Sequence, residues 1–145
     1  MSPAPELPVS FFNISGHPLP VQEKELITLF KAICVGEKAE FSVLETVFTD
    51  EAEIQRINQE FLKREYITDT ISFRYNQESG NTNIEGTHYL CVPRILEQAG
   101  ELKVDEAQEM KRVFIHGILH IIGYEDSDDA SRKQMHKRED HYLGL

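Results

Sequence analysis

No apolar run in the sequence approaches the roughly 20 residues needed to cross a bilayer. The start, MSPAPELPVSFF, also lacks the basic-then-apolar order of a secretory leader. A membrane-spanning or exported chain is therefore not expected, and the cytoplasm is the expected compartment. Cysteine is scarce: Cys34 and Cys91 lie among apolar neighbours, and neither has a CxxC partner. That pattern favours buried free thiols over a disulfide or a thiolate metal site. Positive charge is short as well, with 15 Lys and Arg against 25 Asp and Glu and a formal charge of -10. Phosphate contacts come from Lys and Arg, so the balance argues against indiscriminate polyanion binding while leaving room for a local basic groove. No internal repeat and no domain linker interrupt the 145 residues, which suffice for one domain with its own core.

What is present is an ordinary soluble composition, 40% hydrophobic and 28% charged. The first eight residues, MSPAPELP, are Pro-rich and expected to be loose, leaving residues 9–145 as the domain. VSFFNI reads as a short strand. VQEKELITLFKAICVG spaces Leu26, Leu29, Phe30 and Ile33 along a helix face and is expected to stop at Gly36. EFSVLETVF alternates as a strand, and TDEAEIQRINQEFLKR opens a helix with Asp50 and Glu53 in a capping-box pattern. TDTISFRY, rich in β-branched and aromatic residues, reads as a third strand. NQESGNTNIEG is polar and expected to be a mobile loop, and THYLCV is the fourth strand. Pro93 suits the first turn of a helix over RILEQAGEL. VDEAQEMKRVFIHGILHIIG is the strongest helix, capped by Asp105 and ended by Gly123, and ASRKQMHKREDHYL forms a last amphipathic helix. The order predicts an α+β domain, a small mixed four-stranded sheet packed with about five helices.

Within the strongest helix, FIHGILHIIGYED is apolar enough to be buried yet holds two histidines four residues apart. Side chains at that spacing point to nearly the same side, offset by about 40°. His116 and His120 can therefore reach one ion, as in zinc motifs that place histidines at i and i+4. Gly123 lets the chain turn sharply and bring Asp126 over the same face as a third ligand. Two imidazoles and a carboxylate leave one position open, the composition of a catalytic zinc site rather than a closed structural one. One Zn2+ or other divalent ion per chain is thus expected where the central helix ends. His17, His136 and His141 lie in polar surroundings and are expected to be solvated. His88, inside a strand, is expected to be half-exposed, and Tyr124 to pack beside the metal turn.

The run HGILHIIGYED resembles the signature of the YbeY family of metal-dependent endoribonucleases, H-G-x-L-H-x-x-G-Y-D-H. INQEF and TDTISF are similar to the family's Leu-Asn and Thr-Asp-Val-Leu-Ser-Phe segments. EGTHYLCVPRILEQA sits where the family has Gly-Asp-Ile followed by a strand and a helix. The resemblance spans residues 54–143 and implies a three-ligand site usually assigned zinc. It also implies cleavage of single-stranded RNA in small-subunit (16S) ribosomal RNA maturation and ribosome quality control, with ribosomal proteins as possible partners and neither DNA nor a membrane involved. His116 and His120 then take catalytic as well as metal roles, and Asn58 and Ser72 become candidate substrate-binding residues.

Three positions depart from that pattern. The family's third histidine is Asp126, which cancels one unit of the metal's charge and leaves a weaker Lewis acid than three imidazoles would. The family's arginine ahead of Thr-Asp falls at Leu62, and its aspartate after the glycine is Thr87. Lys63 and Arg64 are the stand-ins for the arginine and the candidate phosphate-binding pair, with Arg64 also a candidate catalytic residue. Together with Arg74 they are expected to line one face of the metal cleft. His88 is a further candidate for a proton-bearing group. Two other readings stay open: a non-catalytic, metal-stabilised protein associated with the ribosome, and a zinc peptidase. The peptidase layout H-E-x-x-H needs a glutamate base where this chain has Gly117.

Overall fold

Strands β1 (Val9–Asn13), β2 (Phe41–Thr49), β3 (Thr70–Arg74) and β4 (Ile84–Cys91) make one sheet in the order β1-β2-β4-β3. The computed structural model describes residues 7–145. β1, β2 and β4 run parallel, while β3 pairs antiparallel with β4, Ser72 opposite His88. β4 lies inside the sheet and is buried along most of its length, as a strand covered on both faces must be. Five α-helices surround the sheet among the described residues: α1 (Glu23–Glu37), α2 (Glu51–Leu62), α3 (Val92–Leu102), α4 (Glu106–Ile122) and α5 (Asp129–Leu143). The expected α+β domain with a four-stranded mixed sheet is the fold observed.

Burial explains the arrangement. The main core joins Leu26, Phe30 and Ile33 of α1 to Leu44 and Phe48 of β2, Leu90 of β4, Ile95 of α3 and Met135 of α5. α4 runs through this core with Phe114, Ile115, Ile118 and Leu119 fully buried. Each such side chain contributes on the order of 1.5–3 kcal/mol by leaving water, so α4 is held in place wherever its polar residues point. A smaller cluster of Ile54, Ile57, Ile71 and Cys91 lies with Phe73 and Tyr89 where α2 meets the sheet. Asp50 caps α2 through the Glu53 N–H at 2.8 Å, and Asp105 caps α4 through the Gln108 N–H at 3.2 Å. Both caps are those the sequence predicts.

Four expectations need correction. α1 does not stop at Gly36; it continues to Glu37 and ends on Lys38 in the left-handed conformation, φ 54°. Gly36 is instead a point of close approach, since a Cβ there would overlap the Tyr142 hydroxyl of α5. β4 begins at Ile84, three residues before the expected start, because Ile84 is fully buried and pairs with Phe41 of β2. His88 is not half-exposed but wholly buried. Of the expected loose start, residues 1–6 lie outside the described residues, whereas Pro8 is tied in by its carbonyl, which accepts the Leu44 N–H at 2.8 Å. Both cysteines are free, Cys91 buried and Cys34 half-buried. No helix among the described residues is long and apolar enough to cross a membrane.

Candidate metal centre

The last turns of α4 carry His116 and His120 one above the other, with ring centroids 5.1 Å apart and planes at 76°. Gly123 follows at φ 133°, and the turn it permits folds Asp126 back over the helix. Asp126 Oδ2 comes to 3.3 Å from His116 Nε2, and Oδ1 to 3.2 Å from His120 Nε2. The three ligand atoms lie within 4.8 Å of one another, so the group can hold one metal ion. Both imidazoles offer the same nitrogen, and the carboxylate closes a third side.

His116 has a fixed partner behind it. Its Nδ1–H donates to Glu139 Oε2 at 2.7 Å, which leaves the Nε2 lone pair facing the ligand group. A carboxylate on the far nitrogen of a metal-binding histidine fixes the tautomer and raises ligand basicity. Glu139 is buried on α5, and its other oxygen accepts from Arg112 at 3.0 Å; Arg112 also bonds Asp140 at 2.6 Å. Burial opposes a charge on His116, but the hydrogen bond to Glu139 and the negative charges of Glu139, Asp126 and Asp69 outweigh it and raise its pKa above the ordinary value. A donor set of two neutral-capable imidazoles and one carboxylate, with a negative second layer, suits a divalent cation.

The turn bearing Asp126 is braced from α1. Tyr124 donates its hydroxyl to Glu37 Oε1 at 2.5 Å, while Arg138 and Tyr142 hydrogen-bond to Glu37 Oε2. Burial alone would raise the Glu37 pKa, but the bonds from Tyr124, Tyr142 and Arg138 bring it below the usual glutamate value. Tyr124 therefore packs beside the turn as expected and also anchors it.

The candidate ligand group opens onto a cavity of about 300 Å³ whose wall includes Asn58, Leu62, Arg64, Asp69, Ser72, His116, His120 and Asp126. Arg64 sits two residues beyond the departure at Leu62, and both line this cavity. Its guanidinium lies 3.0 Å from the Tyr66 hydroxyl and 5.9 Å from the ring centre. Asn58 is buried and uses its amide on the Tyr66 carbonyl at 2.8 Å, ordering the segment that carries Arg64. The Ser72 hydroxyl is buried without a hydrogen-bond partner. Lys63 does not line the cavity; it ends α2 in the left-handed conformation, φ 57°, and the next residue, Arg64, donates its N–H to the Asn58 carbonyl at 3.2 Å. Arg74 lies away from the cleft, its guanidinium bonded to the Ile121 carbonyl at 3.3 Å, Ser79 at 3.1 Å and the Gly80 carbonyl. The cleft thus gains one of the three expected cations, not all of them.

His88 is no free proton donor. Nε2 pairs with Thr46 Oγ1 at 2.7 Å, Nδ1 is buried without a partner, and burial pushes its pKa down to about 3. Thr87, the other departing position, bonds Tyr75 at 2.8 Å and Glu45 at 3.2 Å and does not line the cavity. His17, His136 and His141 are exposed as expected. Sequence reasoning missed Glu139, Glu37, and the pair Asp69 and Glu109, both of which accept from Gln98, at 3.1 and 2.6 Å. One signal was available for Glu139, which stands four residues after the buried Met135, on the inward side of α5.

Comparisons with known proteins bear on the chain as a whole. Residues 13–144 match the family model described as endoribonuclease YbeY. A curated endoribonuclease YbeY of Chlorobium phaeobacteroides (strain BS1) is 38% identical over 135 residues, 93% of this chain and 94% of that protein. One from Flavobacterium psychrophilum is 35% identical over 124 residues, 86% of each. A solution structure of a Thermotoga maritima protein superposes with TM-score 0.66 at 24% identity, covering 92% of this chain and 87% of that one, which supports the fold.

Proposed function

The chain belongs to the endoribonuclease YbeY family, and from that premise we propose that it is a zinc-dependent nuclease hydrolysing single-stranded RNA in small-subunit ribosomal RNA maturation and ribosome quality control. The observation that carries the reading is the junction of the His116, His120 and Asp126 group with the Arg64-lined cavity. His116, His120 and Asp126 would hold the ion, and Glu139 would keep His116 in the ligating tautomer. A divalent ion bound there supplies Lewis-acid charge and acidifies water to a pKa near 7. Arg64 binds the phosphate and stabilises its developing charge, the role the family arginine leaves open at Leu62. Asn58 holds the Arg64 segment, Ser72 lines the wall beside the ligands, and Lys63 adds positive charge on the exposed side. Ribosomal RNA as substrate makes the cytoplasm the place of action and ribosomal proteins the natural partners.

A peptidase reading has no base to use, because a side chain at position 117 would run into His88. The non-catalytic alternative is separated by turnover. Protein loaded with zinc should cut unstructured RNA, act little on duplexes, and lose cleavage in His120→Ala. Peptide hydrolysis with no RNA cleavage under any divalent metal, or RNA cleavage unchanged in His120→Ala, would overturn the reading.

A further inference from the structure

Positive charge is scarce in this chain, yet four of its 15 Lys and Arg fall within residues 132–138, a stretch with no Asp or Glu. Arg138 turns inward onto Glu37. The others, Arg132, Lys133 and Lys137, are exposed on α5 together with His136, at i, i+1, i+4 and i+5, one face of a helix. They line a shallow hollow of about 480 Å³. Arg132 pairs with Asp129, and His136 stands 3.8 Å from both Glu139 and Asp140. Lys133 and Lys137 have no carboxylate within ion-pairing distance among the described residues, so the net positive charge of the face is theirs.

This face begins at the metal turn. Arg132 Nη1 donates to the Asp126 carbonyl at 3.4 Å, and Arg112, which holds Glu139, lies 3.5 Å from His136. We propose that the Arg132, Lys133, His136 and Lys137 face of α5 is a second binding surface for a phosphodiester strand, receiving the part of the RNA that runs on from the metal cavity. The inference rests on the nuclease reading above and adds the path of its substrate. Two reasons favour a nucleic-acid backbone over an acidic protein. The hollow adjoins the site where a phosphate must already be held, and in a chain of charge -10 a polyanion is repelled from most of the surface. Such a field concentrates a polyanion where the cations cluster. The helix rise of about 1.5 Å per residue sets the 132–133 pair about 6 Å from the 136–137 pair, so one strand can contact both.

The test is the double variant Lys133→Gln, Lys137→Gln in the full chain, with Lys133→Arg, Lys137→Arg as the charge-preserving control. Neither lysine touches the metal group, so zinc content and melting temperature should not move. Binding of a long unstructured RNA should weaken about tenfold at low salt, and its salt slope should fall by about 1.4, at roughly 0.7 per phosphate contact. KM should rise while kcat holds, a trinucleotide substrate should be unaffected, and the arginine control should match the native protein. An unchanged salt slope in a variant that still cleaves overturns the surface and leaves the nuclease reading intact. Native protein that binds RNA with the expected slope change but never cleaves it overturns the nuclease reading and leaves the surface intact. No RNA binding by native protein overturns both, and loss confined to poly-glutamate binding overturns the RNA surface in favour of an acidic peptide.

Discussion

Gly117 and His88 compete for one space: a Cβ on Gly117 would overlap Nδ1 of the His88 ring and stand 3.2 Å from its Cγ. The Ser72 hydroxyl lies 3.2 Å from the same point. The ring cannot retreat, because it is fully buried and bonded to Thr46. This packing explains why the position between the two histidines carries no side chain at all. It also lets α4 approach the sheet closely enough to bring its ligands to the cavity wall.

Gly117→Ala should therefore destabilise the fold by about 1–3 kcal/mol, the usual cost of overfilling a core, despite the helix propensity gained by alanine. Urea unfolding measures it. Equal or greater stability in the variant would show that His88 has room to move.

Burial holds His88 neutral, with a folded pKa of about 3 against an ordinary 6.5. The folded state thus refuses a proton that the unfolded state accepts. Its contribution is complete above pH 6.5 and is lost as the pH falls toward 3, at up to about 1.4 kcal/mol per unit. His88→Gln removes the titration, so its unfolding free energy should fall less steeply than that of native protein between pH 6 and 4. Parallel curves would place the acid sensitivity elsewhere.

Metal content tests the three proposed ligands. His116→Ala and His120→Ala should purify without stoichiometric metal. Asp126→His restores a third imidazole and should keep it, whereas Asp126→Ala should bind markedly more weakly. Elemental analysis and competition with a chelating dye give the result, and equal affinity in Asp126→Ala would assign the third position to another group such as Glu125.

Glu139 holds His116 Nδ1 and is proposed to act on a bound metal through that ring. Glu139→Gln keeps the shape but not the charge, and should lower zinc affinity about 10–100-fold, the range for removing such a partner. Arg112 retains Asp140 in the variant, which limits the loss of stability. Native affinity in Glu139→Gln would mean that the ring is oriented by packing alone.

The clustering of His116, His120 and Asp126 was legible because helical spacing, a glycine turn and an acid beyond it are all local. The caps at Asp50 and Asp105 were legible for the same reason. What escaped depends on approach between distant segments. Gly36 has the composition of a helix stop, and only the position of Tyr142 on α5 shows that it is a contact. Ile84 looks like loop until β2 is placed beside it. Arg74 reads as a free cation, but the loop at Ser79 and Gly80 folds back to take its guanidinium. His88 reads as half-exposed because its strand alternates weakly, and burial from α4 decides otherwise.

Glu37 reaches Tyr124, Arg138 and Tyr142 across 87, 101 and 105 residues of chain, and Glu139 lies 23 residues beyond the histidine it holds. Synthesis proceeds at about 5–20 residues per second, with early segments free to fold first. A growing chain that ends before residue 138 already owns His116 and His120, yet has no carboxylate behind His116 and no arginine on Glu37. Its centre is unfinished until α5 has been made. In that order of assembly the last helix to leave the ribosome is the one that completes the centre.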